Sequence, residues 1–449
     1  MERKFDQEKL TRLLENRQLR ELRDALTQAQ PVDVARFLGE LKPEQAILVF
    51  RTLPKEQASE AFSELDADLR RDIIGSITDA ELSDIVEELY VDDAVDLLEE
   101  LPANVVKRVL RNARPETRAL INQFLNYPEN SAGSRMTAEF TDLRAGMTVA
   151  QAIEHIRRTG EDRETIYTCY VIDEGRRLEG VVSVKDLLLA PDGALVRDLM
   201  NRDVVSVSTK EDQEVAAQLM NKYDYLSLPV VDDENRLVGI ITVDDAIDVL
   251  QQETTEDMQV MGAMHPSERP YLKTGVFTLA KNRIVWLLVL MISGMLTGGI
   301  LGRYEAAFAS MPLLVTFIPM LTDTGGNAGS QSSTLVIRGI AVGEITGRDL
   351  PAVFWKELRV AALVGVILSA VNYLRLIITY PGNGMVALTV ALTMFFTVLM
   401  AKTIGGILPL VARALKADPA IMASPLITTI VDAISLIIYF NIAQRLLPV

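Results

Sequence analysis

The sequence predicts a multidomain membrane protein with an all-α superhelical N-terminal domain, a duplicated α/β domain and a transmembrane domain of five helices. Three observations predict this fold class: a 12-residue hydrophobic repeat, two similar segments in mid-chain, and five apolar stretches near the C-terminus. A chain of 449 residues has room for about three domains. We expect a helical domain at 1–130, the two copies of the duplication at 131–199 and 200–250, a connecting helix at 251–275, and a membrane domain at 276–449.

The charge differs between the two parts of the chain. Residues 1–270 carry a net charge of −22, whereas residues 271–449 carry +6. This acidic part excludes a nucleic-acid-binding domain, because phosphate binding requires excess Lys and Arg. An acidic surface that only keeps the domain soluble would give the same balance. One cysteine and two histidines exclude a disulfide framework and a Cys/His zinc site, so a bound metal should be a hard cation with oxygen ligands.

The N-terminal domain is predicted from a large apolar residue that recurs every 12 positions. A turn or capping residue follows most of them, as in "LKPEQ", "LPKEQ", "ITDAE" and "LPANV". Pro or Asp at such a point ends one helix and begins the next, which indicates a stack of short helices. The repeated positions are Leu41, Leu53, Leu65, Ile77, Leu89 and Leu101.

The middle of the chain contains a duplication. The segment "VIDEGRRLEGVVSVKDLL" (171–188) aligns with "VVDDENRLVGIITVDDAI" (230–247), and each predicts strand, turn, strand and helix. This pattern resembles a tandem pair of CBS domains. Two [ST]-x-x-D motifs match the family's nucleotide contacts, so the resemblance implies ATP binding, although many CBS pairs are purely structural. The matching residues are Ser183, Asp186, Thr242 and Asp245.

Five apolar segments are each long enough to cross a bilayer, which takes about 20 helical residues. They lie near 284–302, 312–340, 352–379, 385–411 and 421–443. Lys and Arg cluster before the first span, between spans 2 and 3, and between spans 4 and 5, which places the N-terminus in the cytoplasm and the C-terminus outside. From the charged N-terminal segment we also expect no cleavable signal peptide. We therefore expect a multi-pass protein of the cell (inner) membrane.

Two polar features interrupt the apolar spans. Span 2 contains "PMLTDTGGNAGSQSSTLVIRG" (319–339), and span 5 contains Asp432 within "PLITTIVDAISLIIYF". Polar groups at this depth are tolerated where they line protein or water, which indicates an ion path with Asp432 as a cation ligand. Two alternatives remain open: the glycines of span 2 only permit close helix packing, and Asp432 forms a structural ion pair with Lys402.

The order of these modules, together with "GGNAGSQ" in span 2 and the span 5 motif, resembles the MgtE family of magnesium channels over essentially the whole chain. The resemblance implies a homodimer in the lipid bilayer that admits Mg²⁺ and closes when cytoplasmic Mg²⁺ is high. It also implies that Asp432 holds a hydrated Mg²⁺. Ser330 stands where family members can carry Asn, and Asp323 adds an acid near the filter. The pore and selectivity residues would be Asp323, Asn327, Gly329, Ser330, Gln331 and Asp432.

The same resemblance implies regulatory Mg²⁺ sites between the helical domain, the CBS pair and the connecting helix. Each acid taken alone is equally compatible with a solvated surface charge. As a set, they would repel without Mg²⁺ and close around it. The matching acids are Glu60, Asp92, Asp96, Asp212, Glu214, Asp224, Asp245, Asp248, Glu253, Glu256, Asp257 and, at the inner mouth of the pore, Asp418.

Two other functions are considered beside a gated Mg²⁺ channel. One is an ion-coupled secondary transporter of Mg²⁺ or Co²⁺, and the other is a membrane-anchored nucleotide sensor whose spans only dimerise. The second leaves the polar stretch of span 2 unexplained. An enzyme is not expected, because the sequence has no nucleophile–base pair, metal-hydrolase signature or phosphate loop.

Overall fold

The computed structural model of the protein describes residues 6–99, 101–267, 271–272 and 274–448. These residues form two compact units, which divide between Leu250 and Gln251. The first unit contains a run of helices followed by two small sheets, and the described secondary structure of the second unit is helical.

The described residues before position 130 form ten short helices. From α3 onward each helix begins 12 residues after the previous one, at positions 31, 43, 55, 67, 79, 91, 103 and 115. The helices are α1 (Gln7–Glu15), α2 (Leu19–Thr27), α3 (Pro31–Glu40), α4 (Pro43–Phe50), α5 (Lys55–Ser63), α6 (Ala67–Ser76), α7 (Asp79–Glu88), α8 (Val91–Glu99), α9 (Ala103–Asn112) and α10 (Pro115–Phe124).

Local sequence explains where these helices begin. Pro31, Pro43 and Pro115 occupy the first turn of α3, α4 and α10, where the missing N–H of proline costs nothing. Thr78 begins α7 with a capping box, in which its hydroxyl accepts from the Glu81 N–H and its own N–H donates to the Glu81 carboxylate.

Helices two apart in sequence pack on each other: α3 on α5, α5 on α7, α7 on α9, α4 on α6, and α8 on α10. Leu53, Leu65 and Ile77 of the repeat are buried, and the other three repeat positions are partly buried against the same core. The predicted stack of short helices is therefore confirmed.

Two three-stranded sheets follow, with strand orders β1-β2-β3 and β4-β5-β6. In each, the first strand is parallel to the second and the second is antiparallel to the third. The elements are α11 (Ala132–Arg135), β1 (Phe140–Leu143), α12 (Val149–Thr159), β2 (Thr165–Ile172), β3 (Leu178–Ser183), α13 (Val184–Leu189), α14 (Val196–Leu199), β4 (Val207–Ser208), α15 (Gln213–Tyr223), β5 (Ser227–Val231), β6 (Leu237–Thr242) and α16 (Val243–Met261).

The two sheets have the same register. Thr168 pairs with Ser183 in the first, and Ser227 pairs with Thr242 in the second, so both partners shift by the 59 residues that separate the aligned sequences. The turns match as well, since Arg176 and Asn235 both have a positive φ, of 64° and 61°. The predicted duplication is present at the level of single residue pairs between strands.

The second unit is built from long helices. α21 packs against α19, α20 and α22, while α19 and α17 both contact α22. The helices are α17 (Val276–Arg303), α18 (Glu305–Ser310), α19 (Ile318–Ala341), α20 (Leu350–Thr379), α21 (Gly384–Ala414) and α22 (Ser424–Leu446), with 3₁₀ turns at Pro312–Phe317, Gly347–Asp349 and Pro419–Met422.

Four stretches of the described chain are helical, long and apolar enough to cross a membrane: Val276–Arg303, Gly347–Thr379, Gly384–Ala414 and Pro419–Leu446. The remaining predicted span, span 2, corresponds to α19, a continuous helix of 24 residues. Its length suffices for a bilayer, but its polar and glycine-rich middle lowers its hydropathy. The first part of this predicted span, before Ile318, is a 3₁₀ turn and not part of the α-helix.

The predicted connecting helix at 251–275 differs from the observed secondary structure. The described chain is helical only to Met261, as the end of α16, and the next helix begins at Val276. Ala263 has a φ of 53°, and a left-handed residue ends a helix because the backbone N–H groups no longer follow the helical path.

Candidate cation sites and nucleotide cavity

Helix α19 has two chemically different faces. Gly325, Gly326 and Gly329 are buried, and a Cβ at these positions would lie 2.6–2.8 Å from side chains of Thr397, Thr428 and Ile427. These glycines therefore permit close packing on α21 and α22, which was one of the two interpretations of this segment.

The other face of α19 is polar. Asp323, Asn327 and Gln331 follow one another at intervals of four residues and are all exposed on the single chain. Side chains spaced four apart lie on the same face of a helix. Ser330 lies beside them, partly buried, with its hydroxyl donating to the carbonyl of Gly326 at 2.8 Å. The helix therefore combines a glycine face inside the bundle with a carboxylate and amide face outside it.

Asp432 lies on α22, the helix that packs against α19, and it is partly exposed. Asp323 is close enough for its charge to act on Asp432. The alternative in which Lys402 pairs with Asp432 is not favoured by the geometry, because Nζ of Lys402 donates to Oε1 of Gln331 and Oγ of Ser332, both at 3.4 Å. Both of these hydrogen bonds join Lys402 to residues of α19.

One charged residue of the bundle was missed in the sequence analysis. Glu357 on α20 accepts a hydrogen bond of 2.6 Å from the hydroxyl of Ser332, whose side chain is fully buried. The sequence signal for Glu357 is an acidic residue, in "FWKELRV", inside an apolar span.

The first unit contains a group of mutually repelling carboxylates on α8 and α16. Burial, followed by the charges of Asp245 and Asp93, raises the pKa of Asp92 well above its usual value. Burial and the charge of Asp245 raise the pKa of Asp93 to about 6. The pKa of Asp245 is raised to about 6, mainly by burial. Asp92 and Asp245 were predicted as ligands, whereas Asp93 was missed.

Two further acids belong to this group. Burial, then the charges of Asp244 and Asp245, raise the pKa of Glu164 to about 7. The pKa of Glu64 is raised by burial and by Asp248 and Asp244. The carboxylates of this group come from four segments of the chain: α8, α16, the turn after α5 and the turn before β2. Among the described residues, however, no three Asp, Glu, His or Cys side chains already converge as a metal site.

Other predicted regulatory acids have local structural roles in this unit. Asp96 pairs with Arg135 at 3.3 Å. Asp212 caps α15 by accepting from the Glu214 N–H at 2.8 Å, and Asp224 ends the same helix with a φ of 54°. Glu60, on α5, is exposed.

A second acidic group lies in the other unit. Burial raises the pKa of Asp257 to about 6, and the charges of Asp418, Glu253 and Glu256 add to this shift. Asp418 is exposed and caps the turn before α22 by accepting from the Ala420 N–H at 2.7 Å. The last turn of α16, through Val260 and Met261, packs with residues of α19 and of this turn. All four of these acids were predicted as ligands.

The predicted nucleotide motifs occupy unlike surroundings. Ser183 and Asp186 are hydrogen-bonded at 2.6 Å and line a cavity of about 310 Å³ between the two sheets, together with Asp224 and Tyr225. Thr242 and Asp245 form the same 2.6 Å bond, but Asp245 belongs to the acidic group of α8 and α16. Only the first motif lines this cavity.

Comparison with known protein families divides the chain in the same order. Residues 318–442 match the model of the MgtE divalent cation transporters, residues 29–130 match the MgtE intracellular N domain, and residues 132–193 and 196–252 match the CBS domain.

Whole proteins and a solved structure match as well. The chain is 38% identical over 442 residues to the magnesium transporter MgtE of Thermus thermophilus, covering 98% of both proteins. It is 32% identical over 431 residues to that of Bacillus subtilis, covering 96% of this chain and 95% of the other. A crystal structure of the cytosolic domain of the Mg²⁺ channel MgtE in complex with ATP is 40% identical, covers 54% of this chain and 98% of that one, and superposes with a TM-score of 0.52. The chain therefore belongs to the MgtE family of divalent cation transporters.

Proposed function

We propose that this protein carries Mg²⁺ into the cell through a path formed by the polar face of α19 and by Asp432. The two-faced character of α19 carries this proposal. In the hydrocarbon core of a bilayer, Asp323, Asn327 and Gln331 must face protein or water, since a polar face in lipid would be costly. A water-filled path satisfies them and gives Asp432 a hydrated cation as its partner.

Hydrated Mg²⁺ suits these groups chemically. Mg²⁺ gives up its octahedral water slowly and usually binds through one or two carboxylates. Carboxylate and amide oxygens of Asp432 and Asn327 can accept hydrogen bonds from the ion's water molecules. Gly329 and Ser330 lie within the same stretch of α19, where the backbone comes close to neighbouring helices.

We further propose a homodimer, in which a second copy encloses the polar face that one chain leaves exposed. Two copies of Asp432 would then line one path, and paired acids favour cations. In this arrangement the N-terminal unit lies in the cytoplasm, the C-terminus outside, and the spans cross the cell (inner) membrane. We propose with this arrangement the domain boundaries that the sequence predicts. The domains are 1–130, 131–199, 200–250, 251–275 and 276–449.

Transport is proposed to be gated by cytoplasmic Mg²⁺. The pKa values of Asp92 and Asp93 are raised first by burial and then by the charge of Asp245, so acids of α8 and α16 repel each other. Mg²⁺ would remove this repulsion by binding between them, and their donor set consists of the oxygen ligands that Mg²⁺ prefers. The acids at Asp257 and Asp418 would respond in the same way at the membrane domain. ATP would occupy the cavity at Ser183 and Asp186 as a modulator.

The decisive experiment measures Mg²⁺ flux into proteoliposomes for the wild type and for Asp432→Asn, with Glu344→Gln as a matched control because Glu344 is an exposed acid in a loop of the same unit. We expect Asp432→Asn to lose most of the flux and the control to keep it. Full flux through Asp432→Asn would refute the path. Recordings in planar bilayers separate the channel, which gives unitary currents, from an ion-coupled carrier, which does not.

Gating is tested in the same vesicles. Internal Mg²⁺ in the millimolar range should suppress flux through the intact protein, and a protein that lacks residues 1–250 should escape this suppression. Equal sensitivity of both proteins to internal Mg²⁺ would refute a sensor in the N-terminal unit.

A further inference from the structure

Two opposite charges lie among the helices that support the proposed path. Lys402 on α21 is only 6% exposed, and its Nζ donates to Oγ of Ser332 at 3.4 Å. Ser332 in turn donates to Oε2 of Glu357 on α20 at 2.6 Å. One buried hydroxyl therefore connects an ammonium group with a carboxylate across three helices.

The surroundings are shaped for Glu357. A Cβ at Gly406, on α21, would lie 2.7 Å from Cγ of Glu357, so the stem of the glutamate occupies the space beside this glycine. Nearby, the backbones of Gly405 and Gly329 come into direct contact. The stem of Glu357 is thus confined on the side of Gly406, while its carboxylate, which remains partly exposed, is held by the hydrogen bond from Ser332.

Lys402 lies next to the polar face of α19. Its second hydrogen bond, 3.4 Å long, reaches Oε1 of Gln331, which shares that face with Asp323 and Asn327. A positive charge at this place repels a passing divalent cation with twice the force that it exerts on a monovalent one. Water screens the charge poorly, since Lys402 is almost fully buried.

We propose that Glu357 is the countercharge of Lys402 within the membrane, and that it controls the rate of cation passage by cancelling the positive field of Lys402 along α19. This inference rests on the proposed function, because it requires the polar face of α19 to line the path. Glu357 does not touch the ion in this arrangement. It acts through Ser332 and Lys402, as a positioning and compensating residue.

The proposal predicts effects of opposite sign for the two charged residues. Glu357→Gln leaves the Lys402 charge uncompensated and should lower the initial rate of Mg²⁺ flux by about tenfold or more. Lys402→Met removes the repelling charge and should leave the flux at or above that of the wild type. The double variant Glu357→Gln/Lys402→Met should restore the flux that Glu357→Gln loses.

A purely structural pair gives a different result, because breaking a buried pair from either side destabilises the protein. Similar losses of flux in both single variants, at equal amounts of folded protein, would therefore overturn the proposal. So would a double variant that remains as slow as Glu357→Gln. If Glu357→Gln does not fold, Lys402→Met and the double variant decide the question, since loss of flux in either contradicts the countercharge.

Matched controls separate local charge from total charge. Lys356→Met removes an exposed cation directly beside Glu357, and Glu344→Gln removes an exposed acid of the same unit. Both should transport like the wild type. Asp432→Asn, measured alongside, separates a failure of the proposed path from a failure of the proposed countercharge. If Asp432→Asn transports fully, the path itself is refuted, whereas if Asp432→Asn is inactive and Glu357→Gln is normal, only the countercharge is refuted.

Discussion

Gly405 of α21 packs directly on Gly329 of α19, so closely that a Cβ at position 405 would overlap the carbonyl oxygen of Gly329. Helix α19 of the proposed path is therefore in backbone contact with α21 in the middle of the predicted filter sequence. The contact requires glycine at position 405, and it fixes the distance between α19 and α21.

Gly405→Ala is expected to destabilise the membrane unit by about 1–3 kcal/mol, because an added methyl group has no space and must push α19 away. Thermal unfolding of the detergent-solubilised protein would measure this, together with a reduced Mg²⁺ flux. Gly294→Ala is the matched control on α17, where no atom lies within 4 Å of the added Cβ. Equal stability of the two variants would contradict the tight contact.

The acidic group of α8 and α16 predicts how stability depends on pH. Asp93, Asp245 and Glu164 have folded pKa values of about 6, about 6 and about 7, above the unfolded values near 4. The folded state therefore binds more protons between these limits, and the stability of the first unit falls as the pH rises through this window. The loss of stability that these carboxylates cause is fully present above about pH 7 and absent below about pH 4.

Without Mg²⁺, the first unit should thus unfold at a higher temperature at about pH 5.5 than at about pH 7.5, and added Mg²⁺ should stabilise it more at the higher pH. Thermal unfolding followed by circular dichroism measures both effects. The variant Asp93→Asn/Asp245→Asn should show a flatter pH dependence. If the pH dependence of this variant equals that of the wild type, the repulsion does not originate in these carboxylates.

The unequal surroundings of the two [ST]-x-x-D motifs predict unequal effects on nucleotide binding. Asp186 lines the cavity, whereas Asp245 belongs to the acidic group. Asp186→Asn should weaken ATP binding by about tenfold or more, and Asp245→Asn should leave it nearly unchanged. Calorimetry on the full-length protein in detergent measures the two affinities. The opposite order would place the nucleotide at the second motif.

The acids near the membrane unit predict a shift in gating. Asp257 lies in the field of Asp418, Glu253 and Glu256. Asp257→Asn removes one charge and one oxygen ligand of this group, so more internal Mg²⁺ should be needed to suppress flux, by about tenfold. Proteoliposomes loaded with a series of Mg²⁺ concentrations provide the measurement. Glu344→Gln should keep the wild-type dependence, and an unshifted curve for Asp257→Asn would exclude it from the sensor.

Much of the fold could be predicted because its determinants are local in sequence. Prolines and capping residues spaced by 12 determine where α3 to α10 begin, and these signals act within one helical turn. The connecting segment was predicted less well, since its apolar Met and Val residues fit a helix although the described chain leaves helical geometry near Ala263.

The candidate sites were predictable only in part. Asp432, Gln331 and Asp257 were predicted as site residues because acids and amides stand out against apolar or patterned surroundings. Asp93 and Glu164 were missed, because they resemble ordinary surface acids until α8 and the strand segment near Glu164 approach α16.

The sequence by itself determined the order of the domains, the helical repeat, the 59-residue duplication and the polarity of α19, because each depends on residues close together in the chain. Only the tertiary structure decided that the glycines of α19 pack against neighbouring helices while its amides lie exposed on the opposite face. It also decided that Glu357 and Lys402 are both hydrogen-bonded to Ser332. These residues are 25 and 70 positions from Ser332. Contacts over such separations depend on how whole helices pack, which no local pattern specifies.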